Sequence, residues 1–174
     1  MCSSDLDTLV LPGVSQWPDE WEPYLLLEGM QMEGSGVEPA PDPEAVVLGP
    51  DDVPEMLDLI ARTDPGPFRQ RTIELGTYLG IRRESALIAM AGERMHPPGW
   101  TEISAVCTDP AYRGQGLAGR LVRAVAAIIT ERGETPFLHV AASNESAIRL
   151  YEKLGFTRRR PMPIPILIPK DSAN

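Results

Sequence analysis

From residue 100 onward the chain alternates short apolar runs with one-sided helical periodicity, and that order leaves few architectures open. Residues 102–108 read as a strand. Leu117, Leu121, Val125, Ile128 and Ile129 recur at i, i+4, i+8, i+11 and i+12, one face of a long helix closed by Gly133. Residues 137–141 are an apolar run without polar alternation, the pattern of a strand inside a sheet. Ala147, Leu150, Tyr151 and Leu154 mark a second helix face, started by Ser143 or Asn144 and stopped by Gly155. A strand, a helix and a second strand in this order predict parallel pairing through a crossover. The expected class is therefore α/β (α+β), with helices flanking a mixed central sheet.

The flanking regions are less regular. Residues 45–48 read as a short strand, and Val53, Met56, Leu57 and Ile60 form a helix face after an Asp cap and Pro54. A short helix is expected over 70–75 and a hairpin over 78–82 and 86–95, turning at Arg83-Glu84-Ser85. Residues 156–160 and 164–168 read as closing strands. The prolines at 161, 163, 165 and 169 make the last of these an edge strand at best. Residues 34–43 are rich in Gly, Pro and acids and read as a linker. The expected division is a 1–44 extension with a strand or two docked on a 45–170 domain.

Charge narrows the range of partners. The net charge is −9, yet residues 1–100 hold 6 basic against 18 acidic side chains, and residues 101–160 hold 9 against 6. A locally positive half in an acidic chain suits a small polyanion better than a duplex, so no nucleic-acid partner is expected. No apolar run reaches the roughly 20 residues of a membrane span, so no membrane partner is expected either. The N-terminus carries Asp5 and Asp7 in place of a basic leader. Cys2 and Cys107 read as reduced thiols, which implies a cytoplasmic setting. No metal-ligand spacing occurs.

The glycine-rich bend can be read in two frames. Gly114-Gln115-Gly116-Leu117-Ala118-Gly119 matches G-x-G-x-x-G, the dinucleotide fingerprint. That fingerprint needs its glycines directly after the strand and an acid at the end of the next strand. Here Asp109 to Arg113 intervene, and Glu134 precedes the next strand instead of ending it. Shifted by one, the segment is Arg113-x-x-Gly116-x-Ala118. A diphosphate needs converging backbone N–H groups at a helix N-terminus and small residues that let it approach. Gln115, Leu117, Ala118 and Gly119 are placed to supply such donors, with Arg113 nearby and Arg120 and Arg123 as further cations for a terminal phosphate.

This second frame resembles the pyrophosphate loop of the GCN5-related N-acetyltransferase superfamily, Gln/Arg-x-x-Gly-x-Gly/Ala. The segment Asn144-x-x-Ala147-x-x-Leu150-Tyr151-Glu152-x-Leu154-Gly155-Phe156 resembles that superfamily's C-terminal motif, in the right order and at the right spacing. The run Glu102 to Pro110 is similar to the FR47-like group. The resemblance implies an acyl-CoA N-acyltransferase fold of about six or seven strands, splayed between the strands at 102–108 and 136–141. It implies acetyl-CoA as cosubstrate, held by Val106, Cys107, Thr108, Arg113, Gly114, Gln115, Gly116, Leu117, Ala118, Gly119, Asn144, Ala147 and Tyr151.

The implied reaction is direct attack by a primary amine of a small molecule or peptide, with Tyr151 as the acid that protonates the departing thiolate. For the base, even offset along the strand predicts that Glu102 shares the face of Val106 and points into the cleft; Glu93 is the next candidate. Cys107 reads as a core thiol, His96 as a loop residue and His139 as a satisfied core histidine. A CoA-binding sensor of the same fold, silent in transfer, is the alternative. The acceptor is open, and so is the choice between monomer and homodimer.

Overall fold

The computed structural model describes residues 8–170. Eight strands form one sheet: β1 Leu9–Val10, β2 Trp21–Glu33, β3 Val46–Val47, β4 Tyr78–Arg83, β5 Ala86–Glu93, β6 Trp100–Thr108, β7 Thr135–Ala141 and β8 Thr157–Pro169. Their order across the sheet is β1-β8-β2-β7-β6-β5-β4-β3. Three helices flank it: α1 Val53–Thr63, α2 Leu117–Glu131 and α3 Glu145–Leu154. The sheet is mixed, with β6 and β7 parallel and its other pairs antiparallel. Cys2, Asp5 and Asp7 lie outside the described residues.

Each face carries its own apolar core. The face under α2 and α3 buries Leu117, Leu121, Val125 and Ile129 against Ile81, Ile88, Ile103, Leu138 and Val140. Those four α2 residues belong to the stripe that the helical period predicts, and they remove the side of α2 that would otherwise meet water. On the opposite face, Val53, Met56 and Leu59 of α1 pack with Phe68, Tyr78, Met90, Ala105 and Cys107. Among the described residues no helix is long and apolar enough to cross a membrane.

Two expectations change. Residues 21–33 are not an appendage: β2 runs inside the sheet and pairs with β8 along its length and with β7 over Gly29–Glu33. The 34–43 segment is likewise docked. The Ala40 N–H donates to the Arg123 carbonyl at 3.2 Å, and Asp42 meets Arg120. Composition alone does not reveal such long-range partners, so a division at residue 44 cuts through the sheet.

The proline-rich end forms one strand, not two, and lies one place in from the edge. Pro161, Pro163 and Pro165 alternate, so their missing N–H groups all fall on one side of β8. That side faces the start of the chain, where the Pro163 and Pro165 carbonyls accept from the Gly13 and Leu11 N–H groups at 2.8 and 3.1 Å. The intervening residues are left to pair with β2. A strand with a proline at every second position can thus have a full partner on one side and a short one on the other.

Candidate active site

The parallel ladder between β6 and β7 has only three pairs, Trp100↔Thr135, Thr101↔Pro136 and Glu102↔Phe137. Beyond them the two strands part, as the resemblance implied. A bulge in β6 accompanies the opening. Met90 pairs with Cys107 and Gly92 with Ser104, so β6 holds one residue more than β5 between these points. Ala105 takes φ +53°, a left-handed conformation unusual for a residue with a Cβ.

The bulge reverses the alternation of side chains. Ile103 belongs to the core under α2, whereas Ala105 and Cys107 belong to the core under α1. Val106 packs against the α2 core. Even offset therefore does not carry a face across residue 105. Glu102 lies opposite Val106, which corrects its expected place beside it. Cys107 is a core thiol as expected: burial pushes its pKa up to about 11, so it stays protonated.

At the end of β6, Asp109 accepts from the Ala111 N–H at 2.8 Å and pairs with Arg62 of α1, fixing the turn that leaves the strand. Gly114 at φ +80° and Gly116 at φ +74° then bend the chain into α2. An added Cβ at either would meet nothing within 4 Å, so it is the backbone conformation that calls for glycine. Gly116 is the N-cap and offers no side-chain acceptor, so the first N–H groups of α2 have no cap from it. Gly119 has another function. It faces Leu150 and Leu154, where α2 and α3 touch.

The cations near this loop differ in availability. Arg120 holds Asp42 through Nε at 2.6 Å and Nη2 at 2.8 Å, and also meets Glu44; it is committed to the 42–44 segment and not free for a phosphate. Arg123 has a buried Nε without a partner, and the Thr108 hydroxyl is buried and unpartnered too. Arg113 is exposed. The Asn144 side chain accepts from the Ala147 N–H at 3.1 Å and caps α3. Tyr151, one turn further on, is buried with its ring edge against Phe156 at 5.8 Å. Burial above all, with Cys107 second, pushes its phenol up to about 12, so the proton stays on oxygen in neutral solution.

The other side of the opening is a connected polar chain. Glu102 is 1% exposed. Its Oε2 accepts from Arg94 Nε and its Oε1 from Arg94 Nη2, both at 2.7 Å. Oε1 also faces His139 Nδ1 at 2.7 Å. Burial would raise the pKa of Glu102, but the contacts from His139 and Arg94 prevail and hold it below the ordinary glutamate range. His139 Nε2 meets the Gln31 amide nitrogen at 3.1 Å, and the Gln31 oxygen accepts from Arg159. A cavity of about 490 Å³ adjoins this chain, lined by Gln31, Met95, His96, Phe137, His139 and Arg160 among others.

The remaining acid and histidine are structural. Glu93 receives Arg132 at 2.6 Å and the Thr77 N–H at 3.0 Å, so it is not a free base. His96 bridges the Thr101 hydroxyl and the Leu75 carbonyl, at 3.0 and 2.7 Å. The His139 side chain is buried with both ring nitrogens partnered, the satisfied core histidine that the sequence suggested, whereas sequence reasoning missed Arg94 and Gln31. Its one available signal was a lone polar residue, His139, between the apolar Leu138 and Val140.

Comparison with known proteins gives consistent findings. A family model described as FR47-like protein matches residues 78–162. A solved GNAT-family protein from Novosphingobium aromaticivorans superposes with a TM-score of 0.86 at 46% identity, over 95% of this chain and 76% of that one. The N-alpha-acetyltransferase RimI of Mycobacterium tuberculosis is 34% identical over 107 residues, which are 58% of this chain and 66% of the relative. A mycothiol acetyltransferase of Thermomonospora curvata is 38% identical over 84 residues, 48% of this chain and 28% of the relative. The chain thus spans just under two thirds of the first curated relative and much less of the second.

Proposed function

The chain belongs to the GCN5-related N-acetyltransferase family, and from that premise we propose that it moves an acetyl group from acetyl-CoA to a primary amine of a small molecule or peptide. The observation that carries the reading is the parting of β6 and β7 beyond Glu102↔Phe137, with the bare N-terminus of α2 at the open end. A buried polar atom without a partner, Thr108 Oγ1, stands at the end of β6 beside the opening and suits a ligand that offers it a hydrogen bond.

In this reading the N–H groups of Gln115, Leu117, Ala118 and Gly119 bind the pyrophosphate at the positive end of α2, with Arg113 as a nearby cation. The main chain of Val106 and Thr108 pairs with the pantetheine arm as an added strand would. The N–H of Val106 or Cys107 stabilises charge on the carbonyl oxygen. Asn144 and Ala147 support the arm from α3, and Tyr151 gives its proton to the leaving sulfur. Acetyl-CoA supplies the activated acyl group. The acceptor class draws support from the relatives, whose names include an N-alpha-acetyltransferase and a mycothiol acetyltransferase.

A thiol-release assay tests the reading, with acetyl-CoA against amino acids, polyamines, aminoglycosides and peptides that begin with alanine. Release is expected with at least one acceptor. Tyr151→Phe is expected to lower kcat by about 10²–10⁴-fold, the usual worth of a general acid. Turnover by Tyr151→Phe at the parent rate refutes the acid assignment. CoA binding without release on any amine favours a silent CoA-binding module.

A further inference from the structure

A bidentate guanidinium and a histidine nitrogen occupy both oxygens of Glu102. A carboxylate so held, and kept ionised by a partner that does not deprotonate, has little affinity left for a proton from an ammonium. The base that the reaction needs has to be found elsewhere on this face. Among the described residues His139 meets the requirements of geometry. It lies two residues beyond the last β6–β7 pair, on the strand that has just parted, and it lines the cavity of about 490 Å³.

Its hydrogen bonds define its protonation pattern. Nδ1 faces a carboxylate oxygen, so Nδ1 carries the hydrogen. Gln31 has its oxygen on Arg159, which turns its NH₂ towards Nε2. Nε2 is therefore an acceptor, its lone pair taken by the Gln31 N–H in a side chain only 6% exposed. It must give up that contact before it can take a proton. A carboxylate behind an imidazole fixes the tautomer and stabilises the imidazolium formed on proton uptake, as in other acid–histidine pairs. The charged and titratable groups around it are Glu102 from β6, Arg94 after β5, His96 across the cavity, and Arg159 and Arg160 from β8. Tyr78 of β4 stands behind this set, its buried hydroxyl without a hydrogen-bond partner.

We propose that His139 Nε2 accepts the proton of the incoming ammonium, that Glu102 is the positioning residue that holds its tautomer, and that the cavity beside it admits the acceptor amine. The proposal rests on the acetyl-transfer reading above. An ammonium N–H bond breaks and its proton passes to Nε2 in place of the Gln31 contact. The freed nitrogen pair forms the C–N bond to the acetyl carbon as the C–S bond breaks. The sulfur takes the Tyr151 proton, the phenolate regains one from the amide nitrogen through solvent, and His139 releases its proton to water. The products are one amide, one thiol and one proton.

Two measurements test this on the full chain. In the ¹⁵N-histidine spectrum of the wild-type protein, recorded across a pH series, the neutral form of His139 is expected to be the Nδ1–H tautomer; an Nε2–H tautomer overturns the proposal whatever the acceptor. In the thiol-release assay, with acetyl-CoA and the amine of the panel that turns over fastest, His139→Gln is expected to lower kcat/KM by about 10²–10⁴-fold and to abolish the acid limb of the pH profile. The KM for acetyl-CoA is expected to stay as it is. Glu102→Gln is expected to keep that limb but lower kcat/KM, because the ring loses the carboxylate that fixes its tautomer. A His139→Gln enzyme within threefold of the parent, or one that keeps the limb, overturns the proposal, and so does a Glu102→Gln enzyme with the parent's kcat/KM. Should these buried variants fail to fold, the wild-type tautomer decides. If the tautomer is as expected but no amine is acetylated while CoA binds, the acetyl-transfer reading fails and the base assignment falls with it.

Discussion

The two sides of the sheet at the β6–β7 opening are built on opposite principles. On the α2 side, polar groups are left without partners: the Thr108 hydroxyl and the uncapped start of α2. On the other side, Arg94, Glu102, His139, Gln31 and Arg159 are joined to one another, and the buried Tyr78 hydroxyl beside them is without a partner. Buried polar groups without partners are costly, so they persist where a ligand completes them. A connected network is costly to disturb, so it holds its members in a single arrangement. One side is shaped to receive; the other is shaped to hold a proton acceptor in place.

The largest effect expected from this contrast is on stability. Glu102→Ala leaves the Arg94 guanidinium buried without its partner and is expected to cost about 3–5 kcal/mol, read from urea unfolding. Thr108→Val, which removes an unpartnered hydroxyl from the other side, is expected to be neutral or stabilising in the same measurement. If the two cost the same, the contrast is broken.

Next in size is the loop. Gly116→Val places a β-branched residue at φ +74° and is expected to cost about 1–3 kcal/mol of stability, with a weaker CoA affinity in titration calorimetry. A Gly116→Val protein that binds CoA as the parent does removes the loop from the donor site.

The pH dependence of stability sharpens the comparison further. Glu102 is depressed in the folded state, so its contribution is present above the ordinary glutamate value of 4.5 and is lost as pH falls through its lowered folded value. Urea midpoints below pH 4.5 are therefore expected to drop more steeply for the parent than for Glu102→Gln. Parallel slopes mean that the carboxylate is not held as described. The smallest effect belongs to Arg120. With its guanidinium on Asp42 and Glu44, Arg120→Ala is expected to change CoA affinity by less than about 0.5 kcal/mol, a surface substitution away from the ligand. A tenfold loss assigns it to phosphate after all.

Much of the α2 side was legible in the sequence because its determinants are local. Gly114 and Gly116 supply two positive φ angles within three residues. Asn144 caps a helix through a residue three positions on. The stripe of α2 repeats every turn, and the prolines of β8 alternate in a way that already marks one side as lacking donors. Such features follow from dihedral angles and helical period, which neighbouring residues set among themselves.

The other side was decided only by tertiary structure. Gln31 reaches His139 across 108 positions, and Arg159 reaches Gln31 across 128. These contacts exist because β2 lies between β7 and β8, a register that no local pattern encodes. The face of Glu102 turned on one extra residue in β6, and strict alternation cannot anticipate a bulge. The sequence by itself therefore determined a strand, a loop and a helix start fit for a phosphate. Which side chains on the far face join into one polar chain was left to strand pairing, because a hydrogen bond forms between groups that packing brings together, however far apart they stand in the sequence.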